Sequence, residues 1–126
     1  MEYRTLGRSG LKISVLSMGT FSFGGKGDFA MVAKHGVDEA RRLVDTCIDG
    51  GINVFDTAAH YRYGRSPRAL GVGLRRAFAQ GVSRSQVFLI AKGGFLLFDP
   101  APPADLDAWY AREIAGQGIG RREDLT

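Results

Sequence analysis

The sequence predicts an α/β fold in which parallel strands alternate with helices, and three observations predict it. Short apolar runs at 15–18, 52–55 and 86–92 alternate with stretches of helical periodicity. The last of these runs, QVFLIAK, is apolar almost to its final residue, as strands covered on both faces are. Glycines punctuate the boundaries at Gly50-Gly51, Gly81 and Gly93-Gly94. Strand, helix, strand, helix, strand, helix is the order of a parallel sheet built from crossover units.

The elements follow in order. Tyr3–Leu6 and Leu11–Ile13 read as short strands joined by the turn Gly7-Arg8-Ser9-Gly10, a hairpin. Val15–Met18 continues as the first strand of the parallel set and ends in Gly19-Thr20. Residues 21–36 hold four glycines and three phenylalanines without clear periodicity, a long loop of the kind that often serves function. Asp38–Ile48 is the clearest helix, with Ala40, Leu43, Val44, Cys47 and Ile48 on one stripe and Gly50-Gly51 as its stop. Ile52–Phe55 is the second strand. Ser66-Pro67 reads as an N-cap and first-turn proline for a helix whose apolar face is Leu70, Leu74, Ala77 and Phe78. Gln86–Lys92 is the third strand. Beyond a proline-rich elbow at 99–103, Ala104–Ala115 is expected to be a helix with Leu106, Trp109, Tyr110 and Ile114 on its apolar side.

Composition narrows the function classes. With 44% hydrophobic and 24% charged residues, the 126-residue chain has the makeup of a soluble globular domain or part of one. The net charge of +4 comes from arginines dispersed over polar helix positions, a solvated basic surface and not a nucleic-acid patch. The lone Cys47 forms no internal disulfide and fits a reducing compartment; its helical position makes it a small buried hydrophobe. The polar start MEYRTLGRSG lacks a signal peptide's apolar core, and no run of about 18 apolar residues spans a membrane. A cytoplasmic location is expected.

The polar residues that carry chemistry fall at strand ends. In a parallel sheet the C-terminal tips share one face, and that face holds the site. Gly19-Thr20 ends the first strand, Asp56 the second and Lys92 the third. Adjacent strands lie about 4.8 Å apart, so a carboxylate and an ammonium at neighbouring tips reach ion-pair distance. Alternation places Val54 and Asp56 on one side of their strand, and Phe88, Ile90 and Lys92 on one side of theirs. Tyr61 follows in the loop above that layer. A phenol is a weak acid, and an ammonium beside it stabilises the phenolate, so an Asp–Lys–Tyr trio is a plausible proton donor to a carbonyl oxygen. The same residues also fit plainer roles: a strand-end Asp-Thr as a turn or cap, and a loop tyrosine as packing. For His35 and His60 packing or solvent exposure is the expected role, with His60 also placed to rim a pocket. Phe21, Phe23 and Phe29 fit an aromatic rim or the core equally well.

At these residues the sequence resembles the aldo-keto reductases. The resemblance is carried by 53-NVFDTAAHYRYGRSPRALGVGL-74, by 3-YRTLGRSGLKISVLSMGTFSFGG-25 before it and by 87-VFLIAKGG-94 after it, and it covers about residues 1–94. It implies a (β/α)8 (TIM) barrel with a hairpin plugging its bottom, here as the hairpin plus about three βα units. It also implies reduction of aldehydes or ketones with NADPH by an Asp, Tyr, Lys and His tetrad. Asp56, Tyr61 and Lys92 match the first three, and Gly19-Thr20-Phe21 matches the segment bordering nicotinamide and substrate. Asp56 is then also near the nicotinamide ribose, and Phe21 and His60 are the candidate substrate contacts. No metal is implied. The tetrad histidine belongs to the end of a fourth strand, and neither His35 nor His60 matches it. The residues that grip the adenosine 2′-phosphate belong to the last barrel units.

A barrel of this type takes about 250 residues. An unclosed wedge of three units leaves edge strands and interior apolar residues such as Val54 and Ile90 exposed, and self-association is expected. The alternative to an enzyme is a non-catalytic relative that keeps the wedge as a binding or interaction module.

Overall fold

A computed structural model describes residues 1–25, 35–94, 98 and 101–117. The chain forms two compact units, Met1–Phe95 and Leu96–Thr126.

In the first unit, β1 (Tyr3–Thr5) and β2 (Lys12–Ser14) pair antiparallel with Arg4 opposite Ile13. The hairpin is fastened to the foot of the next strands by side chains. Tyr3 Oη donates to the Gly51 carbonyl at 2.7 Å. Asn53 Oδ1 accepts from the Ser14 amide, its Nδ2 donates to the Lys12 carbonyl, and its own amide donates to Ser14 Oγ. Asn53 thus directs its side chain and its amide at the hairpin, while its carbonyl accepts from the Phe88 amide at 2.8 Å.

Among the described residues the parallel sheet is three-stranded, in the order β3 (Met18–Gly19), β4 (Val54–Asp56), β5 (Phe88–Ile90). The expected first strand at 15–18 is displaced: Val15 and Leu16 are exposed, and pairing begins only at Met18. Gly19 lies level with Asp56, and Asp56 with Ile90, so the strand tips share one face as the alternation required. Pairing runs on past the strands, with the Thr20 amide donating to the Asp56 carbonyl and the Thr57 amide to that of Ile90. The expected strand start at Gln86 is instead a 3-10 turn, Arg84–Gln86, closed by a reciprocal Ser83–Gln86 capping box.

Helices α1 (Val37–Asp49) and α2 (Arg65–Ala79) cover one side of this sheet. Both end in the same way. After α1 the Ile52 amide reaches back to the Cys47 carbonyl across Gly51, at φ 82°; after α2 the Val82 amide reaches the Ala77 carbonyl across Gly81, at φ 104°. This reversal needs a left-handed residue, which is why a glycine stands at each stop. The helices approach closely at Gly73, where a Cβ would lie 2.9 Å from Val44 Cγ2. Phe23, Val44, Phe55, Leu70, Leu74 and Val87 form the core between helices and sheet. Phe23 is therefore core, whereas Phe29 lies outside the described residues.

Val54, expected to be exposed, is 4% accessible, whereas Ile90, also expected to be exposed, is 46% so. The reading of the third strand as covered on both faces is corrected: Leu89 is 44% exposed, and among the described residues β5 has only β4 beside it.

In the second unit, α3 spans Leu106–Glu113, shorter than its predicted range. Asp105 caps it, its carboxylate accepting from the Ala108 amide at 2.8 Å. Tyr110 is buried and Leu106 exposed, and Trp109 meets Phe98 edge-on at 4.9 Å. Residues 118–126, with Gly118 and Gly120, lie outside the described residues.

Candidate active site

The centre of the site is Lys92. Its Nζ donates to Asp56 Oδ1 at 2.5 Å and to the Thr57 carbonyl at 2.9 Å, and lies 4.9 Å from the centroid of the Tyr61 ring. Asp56 and Lys92 come from neighbouring strands on the face that Val54 and Ile90 also share. The Asp56 carboxylate is the chief influence holding the Lys92 ammonium above the usual lysine range; desolvation opposes it, and the Tyr61 hydroxyl adds to it. The lysine is thus a firm cation at neutral pH. Both members of the pair are about one-third exposed, so the site is open to solvent on one side.

Tyr61 sits in a succession of tight turns. Its amide donates to the Ala58 carbonyl and its carbonyl accepts from the Ser66 amide. Phe21 packs edge-on to its ring at 5.1 Å, and His60 does so at 5.1 Å. The structure therefore brings Asp56, Tyr61, Lys92, Phe21 and His60 together. His35 lies apart, its Nδ1 2.8 Å from Glu39 Oε1.

The three residues at the first strand tip divide. Gly19 has open space where a Cβ would stand, leaving room above the strand end beside Asp56. Phe21 is exposed toward the tyrosine. Thr20 is wholly buried, and its Oγ1 donates to the Asp56 carbonyl at 3.0 Å, so the hydroxyl steadies the carboxylate's strand. Ser66 is a correction. The left-handed Gly64, and not Ser66, precedes the helix, and the Ser66 side chain makes no cap. Its buried Oγ donates to the Thr20 carbonyl at 2.6 Å and lies 3.1 Å from Thr20 Oγ1. The chain Ser66–Thr20–Asp56 thereby joins the start of α2 to the tips of β3 and β4.

Sequence reasoning missed Ser66 in this role, the Thr57 carbonyl as a lysine acceptor, and Arg62. The Arg62 side chain is buried, with its guanidinium carbon 4.8 Å from the Phe21 ring centroid. A Ser-Pro pair looks like a cap in any sequence, and a backbone carbonyl leaves no sequence mark. Two other features stand apart from the trio. A cavity of about 630 Å³ opens at the opposite end of the sheet, lined by Leu11, Ile48, Ile52, Val82, Val87 and Phe88, without any group of the trio. Among the described residues no group of three or more His, Cys, Asp or Glu side chains is placed to hold a metal ion, and no helix is long and apolar enough to cross a membrane.

Comparison with known proteins gives this geometry a family. Residues 15–119 match the model of the aldo/keto reductase family. A probable voltage-gated potassium channel subunit beta of Arabidopsis thaliana is 37% identical over 73% of this chain and 25% of its own length. The uncharacterized oxidoreductase YrpG of Bacillus subtilis is 36% identical over 72% of the chain and 26% of its own. A pyridoxal 4-dehydrogenase of Microbacterium luteolum is 35% identical over 86% and 32%. Among solved structures, the aldo-keto reductase AKR11C1 from Bacillus halodurans in its holo form superposes with a TM-score of 0.62, at 30% identity, over 80% of this chain and 28% of that one. The chain thus spans between a quarter and a third of the length of these curated relatives. On the match of its motifs, fold and family model, the chain belongs to the aldo/keto reductase family.

Proposed function

We propose that these residues belong to an NADPH-dependent reductase of aldehydes or ketones, with Tyr61 as proton donor, Lys92 as its electrostatic partner and Asp56 as the anchor of Lys92. The observation that supports this most is the position of Lys92 Nζ, in bonding distance of Asp56 and against the Tyr61 ring. An ammonium there favours the phenolate that remains after proton transfer, and Asp56 with the Thr57 carbonyl keeps it from swinging into solvent. The tip of β3 fits a flat ring: Gly19 leaves open space level with Asp56, and Phe21 borders it. Gly19, Phe21 and Asp56 would hold the nicotinamide end, and the cofactor supplies the hydride. Phe21 and His60 would border the carbonyl substrate. A cytoplasmic location accords with the free, buried Cys47.

The test is loss of NADPH absorbance with an aldehyde and ketone panel. It is run on the chain itself and on a chimera joining residues 1–94 to the remaining units of the Bacillus halodurans reductase. Tyr61→Phe in the active form is expected to lower kcat by about 10²–10⁴-fold while leaving NADPH affinity nearly unchanged. Retention of more than about a tenth of the parent rate would assign proton donation to another group.

A second reading, an interaction module without turnover, draws on the exposed Leu89 and Ile90 of the β5 edge and on the channel-subunit name of two relatives. Unchanged NADPH absorbance in the chimera together with NADPH binding would favour it.

A further inference from the structure

We propose that Arg62 is a positioning residue for the proton-donating tyrosine: its guanidinium clamps the Phe21 ring, and Phe21 in turn fixes the ring of Tyr61 against Lys92. The inference rests on the reading of Tyr61 as proton donor and goes beyond the trio itself.

The backbone is the first argument. Arg62, Tyr63 and Gly64 have φ of 54°, 52° and 80°, three consecutive residues in the left-handed region. Glycine enters that region freely, but an L side chain enters it only against steric resistance, and such strain persists where the surroundings over-determine it. Here the turn is held on both sides, by the Tyr63 amide on the His60 carbonyl and the Ser66 amide on the Tyr61 carbonyl. The turn sends the Arg62 side chain inward, where it is 6% exposed, although an arginine would ordinarily keep its charge in water.

What the buried guanidinium meets is the second argument. Its carbon stands 4.8 Å from the centroid of Phe21, a cation–π distance. Phe21 stands edge-on to Tyr61 at 5.1 Å, and Tyr61 has Lys92 Nζ 4.9 Å from its own ring centre. The order is cation, ring, ring, cation, with the proton donor third in the row. Phe21 is itself 43% exposed at a loop position, so a contact on its face limits where its edge can go. With Phe21 free to rotate, Tyr61 loses the wall opposite its lysine. A proton donor displaced by even 1 Å loses up to about a hundredfold in rate. Arg62 acts here through two rings and touches no reacting atom.

The experiment uses three variants. Arg62→Gly removes the cation at a backbone angle glycine accepts, Arg62→Lys keeps a cation in reach of the ring, and Phe21→Leu keeps apolar bulk without a ring face. Each is read by nuclear Overhauser contacts between the labelled rings of residue 21 and Tyr61, or in Phe21→Leu between its methyls and Tyr61. Each is also read by kcat and KM in the form that turns over. Arg62→Gly is expected to lose the Phe21–Tyr61 contact and to drop kcat roughly tenfold or more with KM for NADPH within about twofold. Arg62→Lys is expected to retain most of both, and Phe21→Leu to reproduce the kcat loss at an exposed position that tolerates it. A retained ring contact in Arg62→Gly, or equal damage from Gly and Lys, overturns the proposal, as does full turnover by Phe21→Leu. If Tyr61→Phe is as active as the parent, the proton-donor reading has failed, and the ring contacts then decide by themselves whether Arg62 places Tyr61.

Discussion

Ser66→Ala and Ser66→Asp together separate a helix cap from a buried tie. Ser66 is wholly inaccessible, and its Oγ donates to the Thr20 carbonyl at 2.6 Å. Alanine removes that donor where water cannot replace it, a loss of about 1–3 kcal/mol. The better helix propensity of alanine returns roughly half a kcal/mol, so the net destabilisation is about 1–2 kcal/mol. Aspartate is the sharper probe. As an N-cap it equals serine, and the variant would unfold like the parent. In the observed place its carboxylate would face Thr20 O and Thr20 Oγ1, which lie 2.6 and 3.1 Å from the serine oxygen, and would be desolvated beside them. That costs several kcal/mol, so the order is parent, then Ala, then Asp well below. The assay is urea unfolding by far-ultraviolet circular dichroism; in heat, each kcal/mol is about 3–6 °C for a chain of this size. Because Thr20 donates twice to the Asp56 carbonyl, Ser66→Ala should also speed hydrogen exchange of the Thr20 amide. An aspartate variant as stable as the parent would refute the tie.

Stability should fall in alkali on two counts. Burial raises the Cys47 thiol and, chiefly through Asp56, the Lys92 ammonium is raised as well. Both groups hold their protons longer folded than unfolded, so their contribution is intact below the unfolded values, about 8.5 for a thiol and 10.4 for lysine, and is lost as pH rises through the folded ones. Unfolding free energies measured across pH 7 to 11 should decline from the thiol range upward, and Lys92→Met should flatten the upper part; a rise with pH would contradict both. The β5 edge predicts concentration-dependent association of the chain, weakened by Ile90→Lys, which places a charge on an apolar position of an unpaired edge. Light scattering that shows a monomer at every concentration would refute that edge as a contact.

What was legible in the sequence was what period and punctuation determine. The stripe of Ala40, Val44 and Cys47 repeats at helical spacing and is buried; Gly51 and Gly81 stand where a left-handed stop is needed and are left-handed. Alternation set Asp56 and Lys92 on one face before any register was known, and the register then brought them to 2.5 Å. The misreadings have two causes. Gln86 was a local one, since Ser83-Arg84-Ser85-Gln86 carries the Ser-x-x-Gln signature of a capping box but adjoins an apolar run that reads as strand, whereas Ser66 looked like a cap because its true partner, Thr20, is 46 residues away. Leu89 looked buried because an apolar run is the same whether or not a neighbouring strand covers it.

Arg62 marks the sharper boundary between local and distant information. A glycine at that position would have announced a left-handed turn; an arginine announces solvent, and it is neither in solvent nor right-handed. Such a residue is held by contacts that are worth more together than the strain and desolvation they overcome. Those contacts include the Phe21 ring and the turn that carries Tyr61. Local rules fail most where several elements converge on one group. In this chain that place is the ring of Tyr61, where the tip of β3, the loop after β4 and Lys92 beyond β5 meet.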